Sequence, residues 1–259
     1  LPASKSICNR ALILNALSYS PYEIRNLSDC DDTDVMIKAL DSNDSHFDVK
    51  AAGTAMRFLT AFLSKIVGEW TITGTERMKN RPIRILVDAL NSVGAKIEYM
   101  EKEGFPPLRI TGSALQGGEI SLDGSVSSQY ISALLMIAPT MEKGLVLHLT
   151  GKIVSKPYIH LTLQLMKQYG VDSKWVGSTI IVPPQPYRPL PYTVESDWSA
   201  ASYWYEMMAL SDHAEIELKG LFKQSLQGDA AGAELFTQLG VSSDFQSDSV
   251  VLRKNGNVC

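Results

Sequence analysis

Hydrophobic and polar positions along this chain fall into a pattern that repeats. A strand-like run rich in β-branched residues ends at a glycine in three places: residues 70–73 before Gly74, 145–150 before Gly151, and 214–219 before Gly220. A run of helical period then ends at a second glycine, after residues 90–93, 165–169 and 235–239. Gly74 and Gly94 lie 20 residues apart, Gly151 and Gly170 19, and Gly220 and Gly240 20. Each second glycine stands where an apolar-periodic stretch stops and a strand begins, which predicts a left-handed helix cap. Closing strands are predicted at 108–111, 179–182 and 249–253, by their alternation.

Ahead of each unit, a short polar cluster opens into an apolar helical run. These openings are Lys5-Ser6 with Arg10, Gly53-Thr54 with Arg57, Ser127-Ser128-Gln129, and Asp197-Trp198-Ser199. The chain therefore reads as α/β, built of four helix-strand-helix-strand-strand units. The first unit is the least regular, with a second helix at 29–40, a polar loop at 41–46 and a strand only at 47–49. Pro183, Pro184, Pro186, Pro189 and Pro191 make a proline-rich stretch that resembles a linker, a composition that suits a spacer. The boundary is placed there: 1–190 is a three-repeat domain, and 191–259 is the first repeat of a second, incomplete one.

Composition narrows the function. With 45% hydrophobic and 20% charged residues the chain is ordinary globular material, in the range of one large or two smaller domains. A net charge of -4 and a pI near 5.6 argue against nucleic-acid and anionic-membrane partners, which need a basic surface field. Cys8, Cys30 and Cys259 show neither paired nor metal-ligand spacing, which points to a reducing compartment without disulfides or structural zinc. No apolar run reaches membrane-spanning length, and the start has no signal or transit character. The chain opens on Leu1-Pro2-Ala3-Ser4 without a Met, which points to a leading segment outside it.

A helix start offers unpaired N–H groups and the positive end of the macrodipole, so repeated polar openings suit a multiply charged anion. Arg10 lies four residues after Ser6 and shares its helix face; solvated charges on a surface helix are the bland alternative. Gly53 lets a ligand approach the backbone, and Thr54 can cap. Arg77, Lys79 and Arg81 form the densest basic cluster, just before Pro82 opens a helix, a favoured place for proline. The equivalent positions in later units hold Ser155, Lys156, Pro157 and Tyr158, then Ser225, Gln227, Gly228 and Asp229. Two hydroxyls and an amide at Ser127-Ser128-Gln129 exceed what an N-cap needs. Asp31, Asp32 and Asp34 read as an acidic helix start rather than a metal cluster, and His46, His148, His160 and His213 make no triad.

Taken together, Lys5-Ser6-Ile7-Cys8-Asn9-Arg10-Ala11-Leu12, Ala52-Gly53-Thr54-Ala55-Met56-Arg57, Arg77-Met78-Lys79-Asn80-Arg81-Pro82 and Ser127-Ser128-Gln129 resemble the 5-enolpyruvylshikimate-3-phosphate synthase family. The match continues through Ser155-Lys156-Pro157-Tyr158, the stretch 197–203, and Ser225-Leu226-Gln227-Gly228-Asp229. The resemblance implies inside-out α/β barrel domains of three repeats each, and transfer of the enolpyruvyl group of phosphoenolpyruvate to the 5-hydroxyl of shikimate 3-phosphate. It implies a cytoplasmic, monomeric enzyme without cofactor or metal, sensitive in complete form to glyphosate. Lys5, Ser6, Arg10, Ser127, Ser128, Gln129, Ser155 and Tyr158 would hold shikimate 3-phosphate. Lys5, Gly53, Arg77 and Gln129 would face phosphoenolpyruvate, with Thr54, Arg57 and Arg81 in support. The family's proton-transfer residues lie in two further repeats, so this chain is expected to bind rather than turn over. Cys8 stands where the motif has Ser, and Ala51 where Asn often precedes Ala-Gly-Thr. The alternatives are a UDP-N-acetylglucosamine enolpyruvyl transferase, whose helix opening lacks the Lys-Ser-x-x-Asn-Arg pattern, and a non-catalytic anion-binding domain.

Overall fold

The computed structural model describes residues 1–255, so Cys259 lies outside the described residues. The chain divides into two compact units: a larger one of Asn9–Ile24 and Cys30–Tyr192, and a smaller one of Leu1–Cys8, Arg25–Asp29 and the chain from Thr193 on.

Helix α1 (Lys5–Leu17) begins in the smaller unit and ends in the larger; β1 (Ile24–Arg25) and α2 (Asp31–Asp41) follow. Next come β2 (His46–Asp48), α3 (Gly53–Lys65), β3 (Gly68–Thr73), α4 (Glu76–Lys79), α5 (Arg84–Ser92), β4 (Lys96–Tyr99) and β5 (Leu108–Gly112). Their sheet has the order β2-β3-β5-β4, with β2 parallel to β3 and β5 antiparallel to both neighbours. The same grammar recurs in β6 (Gly118–Asp123), α6 (Ser128–Ile137), β7 (Leu145–Thr150), α7 (Lys156–Gln168), β8 (Lys174–Val176) and β9 (Thr179–Val182). Here the order is β6-β7-β9-β8, with β6 parallel to β7.

Two sequence expectations change. Each repeat starts one strand earlier than its polar opening, because β2 and β6 lead in and pair in parallel with the strand after the helix. Leading strands whose partner lies beyond a helix carry little local signal. Consequently the N-terminal segment is not a repeat with a sheet of its own. It contributes α1 and α2, while the strand expected at 47–49 is β2, the leading strand of the next repeat. The sheets also stay separate among the described residues rather than closing into a barrel.

Alternation along β7 turns Leu145, Leu147 and Leu149 inward. Helices α3, α6 and α7 pack against one another in series, and α3 and α6 are buried along most of their length. Fully buried Phe58, Met56, Leu134 and Leu135 each contribute about 1.5–3 kcal/mol of burial. Gly94 and Gly170 take φ of +104° and +83°. In both, the next residue's N–H reaches back to close the turn, Ala95 to Leu90 O (3.0 Å) and Val171 to Met166 O (2.9 Å), the glycine-capped helix end the spacing predicted.

The proline-rich stretch is fastened down rather than free. Gln185 exchanges hydrogen bonds with the backbone of Asp172, its Oε1 accepting (2.9 Å) and its Nε2 donating (2.8 Å). Buried Tyr187 donates its hydroxyl to Met136 O (2.6 Å), and Arg188 N–H donates to Tyr169 O (2.8 Å). Prolines lack N–H donors, so the residues between them do this fastening, Gln185 and Tyr187 with their side chains and Arg188 with its backbone N–H, and composition cannot show it.

The smaller unit continues from β10 (Tyr192–Thr193), which pairs with β1, into α8 (Trp198–Leu210), β11 (His213–Lys219), α9 (Gly232–Thr237), β12 (Val241–Phe245) and β13 (Ser249–Asn255). Its sheet, β11-β13-β12, is antiparallel throughout. The chain start is stitched into it: Ala3 bridges Ser196, Ser4 N–H donates to Glu195 O (2.9 Å), and Asp197 N–H donates to Pro2 O (2.9 Å). Trp198, Tyr205, Met208, Leu218, Val250 and Leu252 form the core. Helix α8 is apolar on a second face as well, where Tyr203, Met207 and Leu210 remain 68%, 51% and 81% exposed.

Candidate functional site

In the larger unit the helix starts at α3 and α6 are joined by side chains. Ala52, at the N-cap of α3, has no side-chain acceptor to offer, and Asp32 of α2 supplies the cap instead, accepting from Thr54 N–H (2.9 Å). Gln129 Nε2 donates to Thr54 Oγ1 (3.2 Å), bringing the first turn of α6 to the first turn of α3. Ser127 caps α6, accepting from Gln129 N–H (3.3 Å). Tyr130 donates to Pro82 O (2.6 Å), which fixes the end of the Arg77–Pro82 basic segment to the same place.

Two cations converge there. Arg57 is 5% exposed, donates to Gly53 O (2.9 Å), and lies 5.8 Å from the Tyr130 ring centroid. The Arg81 guanidinium rests where a Cβ on Gly53 would stand. Burial first, and then the Arg81 charge, push the Arg57 pKa down, while Tyr130 and Asp32 oppose the shift. Arg57 Nε is buried without a hydrogen-bond partner. Two helix starts and two guanidiniums around one glycine make a concentrated positive field, with Asp32 as an acidic neighbour.

A second cluster shares α6. Arg10 is 3% exposed rather than a solvated surface charge. Its Nε donates to Thr162 Oγ1 (2.7 Å) and Nη2 to Ser132 Oγ (3.1 Å). Its guanidinium lies 5.3 Å from the Phe58 ring centroid and 5.9 Å from that of Tyr158. Burial lowers its pKa to about 10, so it stays charged at neutral pH. Ser132 and Thr162 escaped the sequence reading. The available signal was a hydroxyl within the wholly apolar face of a buried helix, where a polar group requires a partner.

The other expected residues are placed as follows. Tyr158 is partly exposed beside Arg10, and Ser155 precedes it in a left-handed conformation (φ +54°) at the N-cap of α7. Ser127 is exposed and Ser128 half-buried at the α6 start, and Arg77 is exposed on α4. Lys79 turns away to Glu101 (2.9 Å). Lys5 and Ser6 occupy the first turn of α1, in the smaller unit. Asp31, Asp32 and Asp34 do form the first turn of α2. His148 bridges Glu119 (2.6 Å) and Thr179 (2.9 Å) across a sheet, and His160 stacks on Trp175.

Within the smaller unit, the Asp197 opening and the Ser225–Asp229 motif satisfy each other. Asp197 caps α8, accepting from Ala200 N–H (3.1 Å). Gln227 accepts from Trp198 N–H (3.0 Å) and donates to Ser196 O (2.8 Å). Ser225 donates to Glu195 (2.7 Å), and Ser199 to Asp229. Burial raises the Glu195 pKa against these hydrogen bonds. Among the described residues no group of three or more His, Cys, Asp or Glu is placed to hold a metal, and no helix is long and apolar enough to cross a membrane.

Comparison with known proteins gives the family. The family model for EPSP synthase (3-phosphoshikimate 1-carboxyvinyltransferase) matches residues 1–43 and 40–257. The 3-phosphoshikimate 1-carboxyvinyltransferase of Bacteroides fragilis (strain YCH46) is 62% identical over 257 residues, covering 99% of this chain and 63% of that protein. That of Vibrio vulnificus (strain YJ016) is 40% identical over 282 residues, covering 98% of this chain and 66% of that protein. A solved EPSP synthase from Acinetobacter baumannii shares the fold with a TM-score of 0.81 at 18% identity, over 99% of this chain and 64% of that one. The chain thus spans just under two thirds of the length of the relatives it matches.

Proposed function

Because the chain belongs to the EPSP synthase family, we propose that it serves the transfer of the enolpyruvyl group from phosphoenolpyruvate to the 5-hydroxyl of shikimate 3-phosphate, with release of phosphate. Its part is to hold the two anionic substrates. Arg10, Ser127, Ser128, Gln129, Ser155 and Tyr158 take shikimate 3-phosphate, with Lys5 and Ser6. Gly53, Arg77 and Gln129, with Lys5, take phosphoenolpyruvate, supported by Thr54, Arg57 and Arg81. The larger unit, Asn9–Ile24 with Cys30–Tyr192 rather than the whole of 1–190, is the substrate-binding domain; the chain from Thr193 opens the second, with Leu1–Cys8 and Arg25–Asp29 belonging to it, and the protein works as a cytoplasmic monomer.

The observation that carries this reading is the joining of two helix starts around Gly53, with Arg57 and Arg81 beside them. Both substrates carry phosphate and carboxylate groups. Guanidiniums grip these with paired charged hydrogen bonds, and helix starts add N–H donors. Bringing two such anions together is opposed by their repulsion, and fixed cations offset it without reorganising.

Titration calorimetry tests the reading on the chain itself. Saturable binding of shikimate 3-phosphate is expected, tightened by phosphoenolpyruvate and abolished by Arg10→Met. Affinity no greater than that for inorganic phosphate would overturn it.

A further inference from the structure

Arg10 ends among hydroxyls from two other helices, and the protons of that group can be placed by counting. The Thr162 hydroxyl lies 2.8 Å from the carbonyl of Tyr158, one turn back in α7, and 2.8 Å from Ser132 Oγ. A carbonyl only accepts, so the single Thr162 proton points to Tyr158 O. Ser132 must then donate its own proton to Thr162. Each hydroxyl therefore turns a lone pair to the guanidinium, Thr162 to Nε–H (2.7 Å) and Ser132 to Nη2–H (3.1 Å). Only this assignment satisfies these four contacts at once, because a hydroxyl has one proton and two acceptor sites.

From this we infer that Thr162 and Ser132 are positioning residues for shikimate 3-phosphate: their one-way hydroxyl relay locks the Arg10 guanidinium to the first turn of α7, which carries Tyr158. The inference rests on the proposed function, which places Arg10 and Tyr158 on that substrate. With Nε and Nη2 each held by a hydroxyl, the rotation of the guanidinium plane is fixed, and a misplacement near 1 Å in a site that must grip an anion costs on the order of 10²-fold. It also ties three helices at one point, α1 through Arg10, α6 through Ser132 and α7 through Thr162. Thr162 serves both ends, since the oxygen that holds Arg10 Nε also holds the backbone beneath the Tyr158 ring. Burial makes the arrangement stiff, for all three side chains are at most 3% exposed. The hydroxyls supply acceptors without adding negative charge that would repel an anion.

The test uses Thr162→Val, which keeps the shape but removes proton and lone pairs, Thr162→Ser, which restores the hydroxyl, and Ser132→Ala. Two readouts are taken: shikimate 3-phosphate affinity by calorimetry, and solvent protection of the Arg10 Nε–H by ¹⁵N NMR. Thr162→Val is expected to lose affinity by about tenfold or more and to lose Nε–H protection. Thr162→Ser should regain both to within about threefold, and Ser132→Ala should fall between them, serving in place of Thr162→Val if that variant does not fold. Undiminished affinity in Thr162→Val, or an Nε–H still protected in it, would overturn the inference. If the parent chain binds no shikimate 3-phosphate, the proposed function fails. The Nε–H signal would still report whether the relay holds Arg10.

Discussion

At Gly53 the absence of a side chain is occupied by another residue. A Cβ there would meet the Arg81 guanidinium, the movable end of a flexible side chain. Gly53→Ala should therefore leave stability within about 0.5 kcal/mol while displacing Arg81, weakening phosphoenolpyruvate about tenfold and leaving shikimate 3-phosphate affinity intact. Ternary titrations measure both. Arg10 poses the opposite trade. Its pKa is lowered by burial, so the charged form is disfavoured in the folded state, and stability rises as pH climbs through about 10. Arg10→Met should raise the Tm of the ligand-free chain at pH 7 and flatten that rise, while abolishing binding. Glu195 carries the inverse sign. Its carboxyl is held above its ordinary value chiefly by burial, so the native state binds the extra proton, and stability falls as pH rises from the unfolded value through the raised one. Glu195→Gln should remove that fall in thermal melts taken across the acid range.

Among the elements, the packed strap at residues 183–192 is the one whose composition misleads. Tyr187→Phe keeps the ring and leaves Met136 O buried without its donor. A loss of about 1–3 kcal/mol is expected, read as a lowered urea midpoint with unchanged slope. Where the sequence was legible, the physics was local. Gly94 and Gly170 announce helix ends because only a residue without Cβ relaxes at φ of +104° and +83°. The openings at Gly53 and Ser127 announce helix starts. Illegible features depend on partners far along the chain. Strand β6 gains its identity from β7 across a helix, and Asp32 reads as an acidic first turn until α3 is seen to lack its own cap. The same holds in the candidate site: its charged members stand out in the sequence, whereas Ser132 and Thr162 are visible only once three helices meet.

For the molecule as a whole, the two units differ in how completely their helices are enclosed. The larger unit has two repeats, and α3 and α6 bury each other. The smaller has one, and Tyr203, Met207 and Leu210 of α8 face water, though a helix apolar on both sides belongs to an interior. Replacing Met207 and Leu210 by Lys should suppress concentration-dependent light scattering and leave shikimate 3-phosphate affinity unaltered, because neither lies in the larger unit. Equal scattering would place the attraction elsewhere. Quality control in a living cell surveys proteins for such stripes. The steady-state level of this polypeptide is then a reading of how often α8 is shielded when a chaperone or protease arrives, and a screen for abundance would single out the covering of one helix, with catalysis playing no part.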